Sequence, residues 1–409
     1  MLKRDFLGLP LQFWVVALVA FINAVSFTII IPIIYPYAKQ FGLSDFQASL
    51  LTTAYAAAQF IGTPILGSLS DRLGRKPLLI LSLLGTVAAS LVAAFAGVAW
   101  LLFAARILDG LTGGNTSIAR AIISDTTSPE RRTKAFGIFG ATFRLGFVAG
   151  PPLSYLAQTV PPLPGMTSLG MSFLVGGAIA AIATLLCLFV LPETLKDKEA
   201  GKLQLRWRDF GVVKVLRSLQ RPQFGRIFVL TFFSGFTFTI FTFAFQPFFL
   251  NVLNQDAKAL AIVFAAIGVV GFVTQVFALD PLKTRLGLIT LLAGSLAVRG
   301  VLFLAIPTFP SIAAFGLIAL LFGAVNSFPM PIIDSILSLR SGDREQGEVL
   351  GINSSYLSMS NAIGPAVAGL LVTTLGYKAP FWITGVLTLL TAGFALTIHC
   401  PQPQKAKAK

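Results

Sequence analysis

Long apolar runs alternate with short polar connectors along this chain. Runs of roughly twenty residues, enough for a helix to cross a hydrocarbon core, fall near 12–36, 46–69, 77–96, 99–123, 136–158, 168–191, 226–250, 259–278, 286–306, 311–337, 350–374 and 379–398. They predict an all-α integral membrane protein with twelve transmembrane helices, because a spanning segment must satisfy its own backbone polar groups. The alternation fails once, between 192 and 224, where Lys and Arg crowd from Lys196 to Arg221. That stretch reads as a linker between two six-helix bundles, 1–191 and 225–400, followed by a polar tail at 401–409. Within it, Trp207 and the run 212–219 suggest a short amphipathic helix on the membrane surface. The first run follows Lys3 and Arg4 as a signal peptide would, but it is too long and holds Pro32 and Pro36, so it is read as a retained helix.

Composition narrows the function. The chain has 409 residues, 55% hydrophobic and 11% charged. One His and two Cys (Cys187 and Cys400) leave no basis for a zinc site, a cysteine nucleophile with its base, or a disulfide framework. No metal, no cofactor and no enzymatic reaction are therefore expected. The net charge of +15 is a matter of position. On one side of the bilayer the connectors hold only Lys39, Lys258 and Lys378, whereas the side with both termini holds most of the 31 Lys and Arg. The positive-inside rule puts both termini in the cytoplasm and the protein in a plasma (inner) membrane. The basic surplus then reports topology and contact with anionic lipid, not nucleic acid.

The two halves repeat one another. Run one holds Phe27-Thr-Ile-Ile-Ile-Pro-Ile-Ile-Tyr-Pro36 and run seven Phe241-Thr-Phe-Ala-Phe-Gln-Pro-Phe-Phe249, each with Pro near its outer end. Gly150-Pro151 recurs as Gly364-Pro365, and Gly114 with Asp125 recurs as Gly323 with Asp334. Such internal repetition fits a transporter with its site between two related bundles.

The densest polar stretch is Gly67-Ser-Leu-Ser-Asp71-Arg72-Leu-Gly74-Arg75-Lys76, between runs two and three. Its pattern G-x-L-x-D-R-x-G-R-K resembles the loop between helices two and three of the major facilitator superfamily. Asp280 and Arg285-Leu-Gly287 look like a degraded copy in the second half. The resemblance implies a cytoplasmic latch in which Asp71 sits near the start of helix eleven, around Gly347–Gly351, and Arg75 pairs with Asp125, with Asp334 as a second gate residue. The latch would hold the halves together in the outward-open state and let go when the inner gate opens.

Run four carries Arg106, Asp109, Gly110 and Gly114, and run five carries Arg144. Intramembrane charges usually face the bundle interior in pairs. Arg106 with Gly110 and Gly114 is similar to the helix-four motif of proton-coupled members. Two roles stay open for Asp109: a proton carrier with Arg106 or Arg144 beside it, or a static bridge from helix four to Arg144 of helix five. Gly146, Gly150 and Pro151 resemble the helix-five antiporter motif, with Ser154 where the family usually has Gly. Asn23 stands where tetracycline/proton antiporters usually carry an acid in helix one. A substrate cavity is expected among Asn23, Asn115, Phe238, Phe241, Phe245, Gln246, Gln275 and Asn326, while most of the nine rings from Phe232 to Phe249 in run seven are expected to face lipid.

The resemblance covers the whole chain and points to the twelve-helix, tetracycline-resistance-like drug:proton antiporter branch. It implies proton-coupled efflux of amphiphilic small molecules or drugs by a monomer in contact with membrane lipid. The alternatives are proton-coupled uptake or facilitated transport of a small metabolite, and a non-transporting receptor or scaffold.

Overall fold

A computed structural model describes residues 8–195, 217–341 and 345–398. The expected amphipathic helix of the linker and the polar tail lie outside the described residues. All regular structure among the described residues is helical. The first half comprises α1 (Leu11–Thr28), α2 (Ile34–Gln40), α3 (Asp45–Leu73), α4 (Arg75–Ala94), α5 (Ala99–Leu111), α6 (Asn115–Thr126), α7 (Pro129–Thr159) and α8 (Ser168–Val190). The second comprises α9 (Gly225–Asn251), α10 (Ala257–Phe277), α11 (Leu279–Leu286), α12 (Leu288–Thr308), α13 (Ile312–Asn326), α14 (Pro329–Arg340), α15 (Gln346–Leu375) and α16 (Ala379–Leu396).

These elements make twelve crossings, three of them broken where continuous helices were expected. Crossing one breaks between α1 and α2, at Pro32, which removes an amide from the helical ladder. Crossing four breaks at Thr112–Gly114 between α5 and α6, and crossing ten at Ser327–Phe328 between α13 and α14, ahead of Pro329 and Pro331. Nine helical stretches among the described residues are long and apolar enough to span a bilayer. The remaining crossings are α3 and α7, whose ends are polar, and the interrupted α5–α6.

Both described ends of the chain lie at one face, here the terminal face; the opposite one is the distal face. Near the terminal face the apolar core is split. One cluster holds Phe13, Leu66, Leu79 and Ile122 of the first half, and another holds Phe228, Leu292, Ile333 and Val349 of the second. Near the distal face a single cluster joins Ile33, Tyr35, Leu51 and Phe173 to Ile240, Phe243 and Ala368. Polar contacts reinforce that seam: Asn251 donates to the Tyr35 hydroxyl at 3.0 Å, Tyr35 donates to Asp45 at 2.6 Å, and Lys39 pairs with Asp45 at 2.9 Å. At the terminal side, Arg120 of α6 and Asp334 of α14 are exposed yet within electrostatic reach of each other. The halves thus share one apolar core near the distal face, whereas near the terminal face each packs a core of its own.

The internal repeat has a physical form. Thr28 of α1 donates to the Gly146 carbonyl at 2.9 Å, and Gly150 of α7 packs against the same Thr28. In the second half Thr239 of α9 donates to the Ser360 carbonyl at 3.0 Å, and Gly364 of α15 packs against that threonine. Each half therefore wedges a threonine against the Gly-Pro helix, where the proline has loosened the backbone.

The α3–α5 contact depends on absent side chains. A Cβ at Gly62 would collide with the Leu111 backbone, and one at Gly110 with the backbone of Tyr55, whereas Gly294 faces open space. Gly62→Val and Gly110→Val should each cost about 1–3 kcal/mol through overpacking. Thermal unfolding in detergent should show a lowered melting temperature for both, with Gly294→Ala unchanged or slightly raised.

Candidate functional site

The loop between α3 and α4 folds around Arg75. Gly74 takes φ +119°, open to glycine at little strain, and starts α4 with Arg75 turned inward. The Arg75 guanidinium pairs with Asp71 at 2.5 Å and with Asp125 at 3.0 Å, and donates to Ser70 at 2.7 Å. Three elements, α3, α4 and α6, are tied at one cation. Asp71 is thereby held within its own half. These pairs are intact in this structure. The expected latch also sets Asp71 against the start of α15, where the side chains of Gln346–Glu348 lie outside the described residues.

A residue missed in the sequence completes this site. Glu193, just after α8, accepts from the backbone N–H groups of Arg75, at 3.0 Å, and Lys76, at 3.2 Å, the exposed amides at the start of α4. It also accepts from Thr194 and Leu195. Burial opposes ionisation, but these four amides outweigh it and hold the carboxyl below the usual carboxylate range. Its distance along the chain from Arg75 hid the contact.

The second-half copy differs. Gly287, φ +79°, likewise starts α12, but Leu288 follows where Arg75 follows Gly74. Asp280 pairs locally with Lys283 at 2.6 Å, and Asp334 accepts from Asn353 at 3.0 Å.

Asp109 sits one turn beyond Arg106 on α5, and the two pair at 3.0 Å with side chains 11% and 7% exposed. Thr86 of α4 hydrogen-bonds the carboxylate. Arg106 lies 4.1 Å from the centroid of the Tyr55 ring on α3, a cation–π contact. Tyr55 accepts from Gln59, which also donates to the carbonyl of Gly113 in the break of crossing four. Ile30, from the break of crossing one, and Ser90 and Phe173 close around Asp109 and Arg106. Asp109 is therefore engaged with Arg106 on its own helix and with α4. Arg144 lies in α7, and its side chain falls outside the described residues.

Of the expected cavity residues, Asn23 and Asn115 line one cavity of about 10 Å³ with Thr116 and Leu79. Asn326 accepts from Arg299 at 3.1 Å. Gln246 is buried and Gln275 half-buried. Phe238 is half-buried, but Phe241 and Phe245 are core: Phe241 stacks on Phe303 at 4.4 Å and Phe245 packs on Phe315 at 4.6 Å. This removes them from a cavity wall. Among the ten rings of α9 only Phe233 is exposed, so most pack within the protein instead of facing lipid. The reason is that α12, α13 and α16 supply their own rings, Phe303, Phe315, Phe322 and Phe381, to stack against. Gly146 and Gly150, with Pro151, form the α1–α7 contact described above.

The family model of the Major Facilitator Superfamily matches residues 16–279 and 227–409. The chain belongs to this superfamily. It is a multi-pass membrane transporter of small molecules, not an enzyme. Among curated relatives it is 27% identical over 410 residues to the class B tetracycline resistance protein of Escherichia coli, covering 95% of this chain and 96% of the relative. It is 26% identical over 377 residues to multidrug resistance protein 2 of Bacillus subtilis, covering 92% of each. The fold matches the crystal structure of the human organic anion transporter MFSD10 (TETRAN), with TM-score 0.71, 23% identity, and 94% of this chain and 100% of that one covered. It also matches a bacterial homologue of the human lysosomal transporter Spinster in an inward-facing, occupied conformation, with TM-score 0.75, 15% identity, and 94% and 95% covered.

The Glu193 contact gives a pH test. A carboxyl whose folded pKa is depressed stabilises above its unfolded pKa, near 4.3 for Glu, and loses that contribution as pH falls through the folded value. Thermal unfolding between pH 7 and pH 3 should show a steeper loss of stability for the native chain than for Glu193→Gln.

Proposed function

We propose that this transporter is a proton-coupled antiporter that exports amphiphilic small molecules. The observation that carries this reading is the buried Asp109–Arg106 pair, an ionisable carboxylate inside the bundle with one cationic partner and one hydroxyl. A charge at mid-membrane costs about 2.5–3.5 kcal/mol on insertion scales, and Arg106 offsets that cost while Asp109 is ionised. Protonation of Asp109 releases Arg106 to Tyr55 and to the break of crossing four, through Gln59. Binding of a proton is thus tied to helix geometry at that break. Relatives that carry the names tetracycline and multidrug resistance support export and a drug-like substrate.

With the basic connectors in the cytoplasm, the terminal face is cytoplasmic, the membrane is the plasma (inner) membrane, and the core shared near the distal face makes this an inward-facing state. Transport proceeds by rocking of the halves about the midplane. Arg75 preorganises the α3–α4 turn to dock on the start of α15 when the cytoplasmic side closes, with Asp125 and Glu193 as its anchors and Asp334 as the facing gate residue. Asn23, Asn115 and Asn326 line the substrate path, and the protein works as a monomer.

Asp109→Asn should abolish proton-driven export from energised vesicles while substrate counterflow persists; intact proton-driven export would sink the assignment. Arg75→Ala should raise cysteine crosslinking across the distal face, since loss of the docking turn favours the inward-facing state. In a pump-deficient host the native chain should raise tolerance to at least one amphiphilic compound, and sensitivity equal to an empty vector across a broad panel would point to uptake instead.

A further inference from the structure

Arg299 stands near the middle of α12 and is only 2% exposed. Its guanidinium is held entirely by neutral groups. It donates to Asn326 Oδ1 at 3.1 Å, to the Ser234 carbonyl at 3.1 Å and hydroxyl at 3.4 Å, and to the Thr237 hydroxyl at 3.1 Å. No carboxylate pairs with it among the described residues, and its Nε–H is buried with no acceptor. Arg106 in the first half has Asp109; Arg299 has no equivalent. An uncompensated cation at this depth is unfavourable unless something neutralises it during the working cycle.

Two neighbours indicate what that is. Asn326 is the last residue of α13, where crossing ten breaks, and it is half-buried where Arg299 is sealed. Discontinuous helices of transporters are where substrate groups are held. On the other side Arg299 lies 5.9 Å from the Phe303 ring, which stacks through Phe241 and Phe322 into the aromatic cluster. A buried cation beside a helix break, with the half-buried Phe238 stacked on Phe322 at 6.2 Å at the margin of that aromatic core, matches a ligand with one negative charge and a flat apolar body.

We propose that Arg299 is the recognition site for the anionic group of the substrate, an aryl carboxylate or sulfonate, which takes the place of Asn326 on the guanidinium. This rests on the export reading for its context but is tested by binding alone. The probes are 1-naphthaleneacetate and its counterpart 1-naphthylmethylammonium, titrated against the full chain in detergent. The native protein should bind the carboxylate at least tenfold more tightly than the ammonium. Arg299→Gln should erase that preference and Arg299→Lys should keep most of it. Asn326→Asp should supply the missing countercharge, raising the melting temperature while abolishing carboxylate binding. Equal or tighter binding of the ammonium, or a carboxylate preference that survives in Asn326→Asp, overturns the proposal. Failure of the export reading looks different: carboxylate binding follows this pattern, yet the host gains no tolerance to any compound.

Discussion

A charge inside a hydrocarbon layer must find its partner within a few ångströms, because neither water nor salt is there to screen it. That constraint organises the whole molecule. It keeps most of the Lys and Arg in connectors on one face, and it admits to the interior only those charges that a neighbour can answer. Asp109 is admitted because Arg106 lies one turn away at 3.0 Å and Thr86 supplies a further hydrogen bond. Arg75, at the boundary, binds two carboxylates and a hydroxyl and so ties three helices together. Arg299 meets only neutral acceptors, and the contrast makes it the most informative side chain of the second half.

The two halves share a backbone plan and differ in electrostatics. Both open their third crossing with a left-handed glycine, Gly74 or Gly287, and both wedge a threonine against a Gly-Pro helix. In the second half Leu288 stands where Arg75 stands in the first, and Asp334 accepts from Asn353 and lies within electrostatic reach of Arg120 of the other half. The first half thus carries the tightly held turn and the ion pair, while the second carries the aromatic mass and the lone guanidinium. Under the proposed function this becomes a division of labour, with one bundle handling the proton and the other the organic molecule.

Much of the fold was legible in the sequence, because crossings are set by hydropathy over about twenty residues. The breaks in crossings one, four and ten were not, since the apolar pattern runs through Pro32 and Gly113 without interruption. The Arg75–Asp125 pair was legible because motif and spacing both marked it. Glu193 was hidden, for its partners are backbone amides in a helix distant along the chain. The ring-rich α9 misled because a phenylalanine facing lipid and one facing another helix leave the same mark in a sequence, and only the rings of α12, α13 and α16 decide between them. Arg299 lies inside an apolar run of the sequence, but that no acidic partner reaches it among the described residues became clear only in three dimensions.

The central claim is that Asp109 gains and loses a proton during the cycle. Infrared difference spectroscopy of the full chain in lipid, across a pH titration, reads this directly. A protonated-carboxyl stretching band should appear as pH falls in the native protein and be missing from Asp109→Asn. A difference spectrum identical in the two proteins throughout the titration would contradict it.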